Sequence, residues 1–311
     1  MANKAVVVVG PTASGKTSLG IYIAKKYNGE VISADSMQIY KEMSVSTAKP
    51  TPEEMDGIKH HLIDFVEITD KYSVSNYCDD AKKIFDDIVS RNKLPVIVGG
   101  TGLYIDSFLS NTKFLDDACS EEIRNELQEE LKNKGIDEMY RQLKEIDPEA
   151  AERIHPNNTV RVLRALEVYR STGMTITKQA ELSHNEESDI EPLYIGISYS
   201  DREILYDRIN RRVDIMLENG LLDEAEQVFS KPYSLTAFNS IGCKEMKPYL
   251  DGEKTLEECT EKLKMSTRRY AKRQLTWFRR NKEINWVYPD LCDQVTLYNS
   301  VDNLINEFLK G

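Results

Sequence analysis

Residues Ala5–Val9 form an unbroken apolar run that leads directly into Gly10-Pro11-Thr12-Ala13-Ser14-Gly15-Lys16-Thr17. This is the G-x-x-x-x-G-K-[ST] pattern in the context it requires, with a buried strand before it and a helix-compatible stretch, Ser18–Tyr27, after it. The glycines let the backbone close into a concave nest of N–H groups around a phosphate. Lys16 adds a point charge, and the Thr17 hydroxyl is placed to ligate Mg²⁺. A glycine turn that merely caps a helix would need neither Lys16 nor Thr17. The segment therefore predicts a diphosphate or polyphosphate site and leaves open which one.

The rest of the chain predicts what carries this loop. After Ser18–Tyr27, Glu30–Ala34 reads as a second strand, delivering Asp35-Ser36-Met37-Gln38-Ile39-Tyr40 at its carboxyl end. Ser75–Arg91 has helical apolar spacing, and Leu94–Val98 is a third buried strand ending in Gly99-Gly100-Thr101-Gly102. Such alternation predicts an α/β fold: a parallel sheet flanked by helices, with ligands at the carboxyl ends of the strands. From about Asp116 to Asn185 the pattern becomes helix after helix (Glu121–Lys134, Ile136–Ile146, Thr159–Ser171), followed by an acidic, loop-like Ser183–Pro192. Leu193–Ser198 then returns as a strand, and Asp201 is the expected N-cap of a helix reaching Asn219. The expected organisation is a first core part over 1–114, an all-helical insertion over 115–190, and a core continuation over 191–311 with a basic C-terminal helix.

Composition narrows the class. With 40% hydrophobic and 30% charged residues, the chain reads as an ordinary globular protein. No apolar run approaches the roughly 20 residues of a membrane span. The first strand starts almost at once, so no secretory signal is expected. The five cysteines are scattered without metal-type spacing, which points to free thiols and a cytoplasmic location. Adjacent His60 and His61 have no ligand-like neighbours and read as helix-end or loop residues. Monomer is the default oligomeric state. The formal charge of −11 disfavours indiscriminate nucleic-acid binding, but it is unevenly spread. Between Lys262 and Lys282 there are nine bases and no acid, a local field suited to a selective RNA contact.

Three groups carry candidate chemistry. A nucleoside-triphosphate hydrolase usually ends its third strand with a Mg²⁺-holding acid, yet here Val98 runs into Gly99-Gly100-Thr101-Gly102 with no carboxylate. Asp35 is the nearest acid at a strand end, placed as a base or metal-shell group rather than a simple helix cap. The glycine pair lets another chain or a ligand approach the backbone closely. Arg208 and Arg212, four apart on the helix after Ser200, share a face and could clamp a diphosphate, or could pair with Asp201, Asp207 or Asp214. On a wheel of the C-terminal helix, Leu263, Tyr270, Ala271, Gln274, Trp277 and Phe278 fall on one side. The opposite arc, including Lys272, Arg273 and Arg279, offers a cationic strip for a phosphate backbone.

Several separated segments resemble one family. Gly10–Thr17, Asp35–Tyr40, Thr47–Pro50, Val98–Tyr104, Arg161–Glu167, Ile241–Glu245 and Tyr270–Arg279 are similar, in order, to segments of the bacterial tRNA dimethylallyltransferases (tRNA isopentenyltransferases). The resemblance implies transfer of a dimethylallyl group from dimethylallyl diphosphate to N6 of the adenosine just 3′ of the anticodon, with Mg²⁺. It also implies a P-loop kinase-like core with a helical insertion that closes over the tRNA anticodon stem-loop. By motif, Asp35 would be the general base, Lys16 and Thr17 would serve the diphosphate and its metal, and Arg212 would neutralise the leaving pyrophosphate. Asp35, Ser36, Met37, Gln38 and Thr101 would touch the target base or its neighbours, with Arg124 and Arg161 as further RNA candidates. Ser46 and Cys243 depart from the pattern, standing where many relatives have Gly and Tyr. The rival reading is a nucleoside or nucleotide kinase using ATP, which would have no use for a basic C-terminal helix. A non-enzymatic RNA-binding NTPase switch is a third.

Overall fold

The computed structural model describes residues 3–112, 114, 121–183 and 188–311. It resolves into two compact units, one comprising Met1–Leu109 with Ser188–Gly311, the other Ser110–Glu187.

The first unit is built on β1 (Asn3–Val9), β2 (Gly29–Ala34), β3 (His60–His61), β4 (Leu94–Gly99), β5 (Ile190–Ile197) and β6 (Asn285–Val287). They form one parallel sheet in the order β3-β2-β4-β1-β5-β6. Successive side chains of a strand point to opposite faces, so the valine run of β1 serves two cores at once. Ala5, Val7 and Val9 join a cluster with Phe85, Ile97 and Ile105, whereas Val6 and Val8 join one with Ile23, Val96 and Val301. A large side chain buried this completely contributes about 1.5–3 kcal/mol. β1 lies between β4 and β5, which places its carboxyl end at the point where chain order along the sheet reverses, where such folds bind ligands.

Helices α1 (Lys16–Lys26), α2 (Val74–Ser90) and α3 (Gly102–Leu109) belong to this unit. The helical unit then holds α4 (Glu121–Ile146), α5 (Pro148–Arg153), α6 (Thr159–Thr172) and α7 (Ile176–Ser183). The first unit resumes with α8 (Arg202–Glu218), α9 (Leu221–Phe229), α10 (Leu235–Phe238), α11 (Cys243–Leu250), α12 (Leu256–Phe278) and α13 (Gln294–Lys310). Asp201 caps α8, accepting from the Glu203 backbone N–H at 2.9 Å, as its position in the sequence predicts.

The helical unit has its own core, with Leu127, Met139, Leu143, Val162 and Leu166. α4 breaks at Gly135 (φ 78°, ψ 170°), between the two helices expected from the sequence. No strand occurs among the described residues of this unit. Residues 115–120 and 184–187, part of the expected insertion and of the loop-like Ser183–Pro192, lie outside the described residues. β5 begins at Ile190, three residues before the expected Leu193, because Ile190–Pro192 pair with Asn3–Ala5.

The histidine pair corrects an expectation. His60 and His61 form an edge strand on Val31 and Ile32 rather than a helix end or loop. His61 Nε2 lies 2.8 Å from the buried Glu30 carboxylate, which also accepts from Arg91 and Lys93. The Arg91 hydrogen bonds lead in holding Glu30 far below the usual carboxylate range. This ion cluster pins a strand too short to hold itself.

Candidate active site

The ends of β2 and β4 with residues of α1, α8 and α12 of the first unit line a cavity of about 340 Å³. Thr12, Lys16 and Thr17 from the phosphate loop, Asp35 beyond β2, and Arg212 on α8 all line it. The loop 10–17 joins β1 to α1, and remote side chains grip its backbone. Arg208 Nε donates to the Ala13 carbonyl at 2.9 Å, Tyr199 Oη to the Ser14 carbonyl at 3.3 Å, and the Thr12 N–H donates to Gln274 Oε1 at 2.8 Å. Lys16 Nζ donates to the Pro11 carbonyl at 2.7 Å, folding the ammonium over the loop.

Electrostatics divide the cavity into a cationic part and one carboxylate. Burial lowers the Lys16 ammonium to about 7, with Arg212 repelling it further and Asp35 opposing the shift. Burial also lowers Arg212, while Asp35 and Glu54 draw it back. Two cations thus crowd a cavity to whose lining Asp35 contributes a carboxylate, with Glu54 acting on Arg212 from outside it, and a bound anion relieves that crowding. Arg212 Nη2 donates to the Ala48 carbonyl at 3.3 Å, which aims its guanidinium from α8 toward the 44–49 segment.

Asp35 sits in a turn that holds it in place. Its Oδ1 accepts from the backbone N–H of Met37 at 2.9 Å and of Gln38 at 3.3 Å. The Ser36 N–H donates to Thr101 Oγ1 at 3.0 Å, and Gln38 Nε2 donates to the carbonyls of Thr47 and Ala48 at 3.1 and 3.2 Å. Ser36, Met37 and Gln38 line the same cavity. The second Asp35 oxygen is left for other partners.

The glycine-rich end of β4 differs from expectation in a useful way. A Cβ on Gly100 would meet Gln274 Nε2 at 2.1 Å, and one on Gly102 would meet Trp277 at 2.2 Å. What approaches the backbone closely here is α12. Trp277 Nε1 in turn donates to Asp106 at 2.8 Å, and Arg280 stacks over its ring at 4.1 Å.

The basic strip of α12 is not continuous. Lys264 pairs with Asp214 at 2.8 Å, and Arg268 donates to Asn210 at 2.6 Å. Arg273 stands with Tyr270 and Gln274 on the cavity side, whereas Lys272 and Arg279 face a second cavity of about 580 Å³ with Arg202, Tyr199 and Tyr206. Helical wheels group residues by angle; they do not show which flank α8 covers.

Arg124 and Arg161 lie in the helical unit. Arg124 bonds the buried Glu167 at 2.6 and 3.0 Å, with Arg164 on its other oxygen at 3.2 Å, so its charge is spent on a core carboxylate. Arg161 is exposed in the first turn of α6. Ser46 packs against Gly242, beside the buried Cys243 whose thiol burial pushes up to about 12. Gln274 and Tyr270 were not among the expected site residues. The one signal for Gln274 is a polar side chain on the packing side of a helix.

Phosphate loop, carboxylate and guanidinium line one cavity of a parallel-sheet, phosphate-loop protein, and β4 ends at Gly99 without a carboxylate. Residues 38–281 match the model of the IPP transferase family. The chain is 51% identical over 295 residues, 93% of its length, to the tRNA dimethylallyltransferase of Acetivibrio thermocellus, covering 92% of that protein. It is 46% identical to that of Caldanaerobacter subterraneus, with 100% of this chain and 99% of the relative covered. Among solved structures, the tRNA isopentenylpyrophosphate transferase of Bacillus halodurans superposes with a TM-score of 0.73 at 41% identity, covering 100% of this chain and 99% of that one. A eukaryotic dimethylallyltransferase acting on tRNA superposes with a TM-score of 0.83 at 30% identity, covering 99% and 80%. The chain belongs to the IPP transferase family.

Proposed function

We propose that the chain transfers a dimethylallyl group from dimethylallyl diphosphate to N6 of the adenosine just 3′ of the anticodon in tRNA, releasing diphosphate. The observation that carries this reading is that Asp35, Lys16 and Arg212 line one cavity, the carboxylate interacting electrostatically with both cations. The donor's diphosphate lies against the loop of Gly10, Pro11, Thr12, Ala13, Ser14 and Gly15, met by the backbone N–H groups that follow Thr12, with Lys16 and Thr17 at its end. Lys16, whose ammonium burial lowers to about 7, takes up a proton as the anion arrives. Arg212 meets the charge that develops on the leaving oxygen, the kind of preorganised contact that stabilises a transition state most.

The target base is turned out of its stack, at a cost of a few kcal/mol that a loop nucleotide lowers. Its N6 then forms a bond to C1 of the donor as the C1–O bond breaks, with both electrons leaving on diphosphate. Asp35 accepts the N6 proton through the oxygen not committed to its turn. Ser36, Met37, Gln38, Thr101 and Arg273 line or frame the space for the base and its neighbours. Lys272, Arg279 and Arg161 serve the RNA backbone; Arg124 supports them by holding Glu167.

The residues present fit a divalent cation of the Mg²⁺ type. Thr17 supplies one hydroxyl at the cavity, and among the described residues no cluster of three acids, histidines or cysteines competes for a metal. Mg²⁺ held by Thr17 and the donor's own oxygens would add charge neutralisation on the diphosphate. The chain acts in the cytoplasm, a reading supported by the free thiols of Cys78, Cys243, Cys259 and Cys292, and as a monomer by default. Among the described residues no helix is long and apolar enough to cross a membrane.

Incubation of the protein and Mg²⁺ with unmodified tRNA, and either dimethylallyl diphosphate or ATP, tests this. Mass spectrometry of the tRNA nucleosides is expected to show N6-dimethylallyladenosine with the allylic donor alone. Unaltered tRNA, with ATP consumed on a nucleoside or nucleotide, would overturn it in favour of a kinase.

A further inference from the structure

One buried side chain joins the two halves of the site. Gln274 is 5% exposed, and its amide makes two backbone hydrogen bonds. Oε1 accepts from the Thr12 N–H in the phosphate loop at 2.8 Å, and Nε2 donates to the Gly100 carbonyl at 3.0 Å. A backbone N–H requires the oxygen and a carbonyl requires the nitrogen, so only one orientation of the amide satisfies both. Gly100 leads into Thr101, whose N–H donates to Ala34 at 3.1 Å and whose Oγ1 accepts from Ser36 at 3.0 Å. Ala34 and Ser36 flank Asp35. The path from cradle to carboxylate is therefore Thr12, Gln274, Gly100, Thr101, Ser36, each step a hydrogen bond or a peptide bond.

We propose that Gln274 is a positioning residue for the transfer, its clasp on Thr12 N–H and Gly100 C=O setting how far the diphosphate cradle stands from Asp35. This inference rests on the proposed reaction. Gln274 touches neither reacting atom. The clasp also takes the Thr12 N–H out of the phosphate nest, so the nest is formed by the N–H groups that follow it. Misplacing reacting groups by about 1 Å can cost 10²-fold in rate while leaving binding nearly intact.

The test measures the single-turnover rate of prenyl transfer to tRNA at saturating donor, alongside direct binding of inorganic pyrophosphate and of tRNA. Gln274→Met keeps the length and removes both hydrogen bonds; Gly100→Ala leaves Gln274 intact and displaces its amide from the other side. Each is expected to lower the rate by about 30- to 100-fold, with both affinities within about threefold. Combined, they are expected to cost little more than either alone, because they break one clasp. Gln274→Glu supplies a readout that a purely structural role would not move. Its carboxylate repels the Gly100 carbonyl, whereas its protonated form can donate to it, so its rate relative to wild type rises as pH falls from 8 to 6. Lost stability alone would reduce the amplitude and not the rate. Wild-type rates in Gln274→Met and Gly100→Ala, or losses that track pyrophosphate affinity, would overturn the proposal. Failure of wild type itself to modify tRNA would instead refute the reaction.

Discussion

The two flanks of α12 do different physical work. On one flank Tyr270, the exposed Arg273 and the buried Gln274 line the site cavity, where the Gln274 amide makes directional hydrogen bonds to the phosphate loop and to Gly100. On the other, Lys272 and Arg279 stand exposed at the second hollow, where charge acts through a screened field. The same helix therefore separates two properties that RNA-modifying enzymes combine. Changes on the cavity side are expected in the rate of chemistry, and changes on the outer side in the salt dependence of RNA binding.

The largest effect expected on the cavity side is at Asp35. Asp35→Asn keeps an oxygen for the Met37 and Gln38 N–H groups but removes the base, so single-turnover transfer falls by about 10²–10⁴-fold. Donor and tRNA affinities are expected to stay within severalfold; an unchanged rate would remove Asp35 from its role. Arg212→Ala comes next, with a rate loss of about 10²–10³-fold and weaker pyrophosphate binding. A defect confined to tRNA affinity would move Arg212 to the other side of the comparison.

A smaller effect follows from Lys16, whose ammonium burial lowers to about 7. A bound anion favours the charged form, so the pKa rises on binding and the free site must take up a proton above pH 7. Pyrophosphate affinity is then expected to fall as pH climbs from 7 toward 9, by up to about tenfold per unit. Calorimetry at pH 8 in buffers of different ionisation enthalpy would detect the uptake, and Lys16→Gln would lack it. Equal uptake in both proteins would exclude Lys16 as its source.

The smallest effect belongs to the outer flank. Replacing Lys272 and Arg279 together is expected to flatten the log–log salt slope of tRNA binding by less than about two units, with single-turnover rate at saturation unchanged. Replacing Arg273 alone is expected to change the rate more than the slope. Reversal of these two outcomes would break the division drawn here.

What was legible in the sequence was signalled locally. The valine run and glycine loop place β1 and α1, and the ends of β2 and β4 follow from apolar runs that stop at Asp35 and Gly99. Asp35, Lys16 and Thr17 stand at those strand ends, Arg212 is picked out by helical spacing and the family resemblance, and all four line one cavity. What escaped depends on partners far along the chain. Thr12 and Gln274 are 262 positions apart, and no local pattern says that a helix-borne amide will clasp the phosphate loop. β3 is two polar residues held by the Glu30 cluster, and β6 is three half-buried residues added beside β5. The bond from Arg124 to Glu167 also escaped, because the two stand 43 positions apart on different helices.

The central claim is geometric: one cavity presents the donor's diphosphate and the target N6 to opposite walls. A crystal structure with an unreactive thiolo analogue of dimethylallyl diphosphate and an unmodified anticodon stem-loop tests it most directly. The account predicts the diphosphate on the loop from Gly10 to Thr17, and N6 about 2.6–3.2 Å from an Asp35 carboxylate oxygen. An adenine seated away from Asp35, or a diphosphate bound outside that loop, would contradict it.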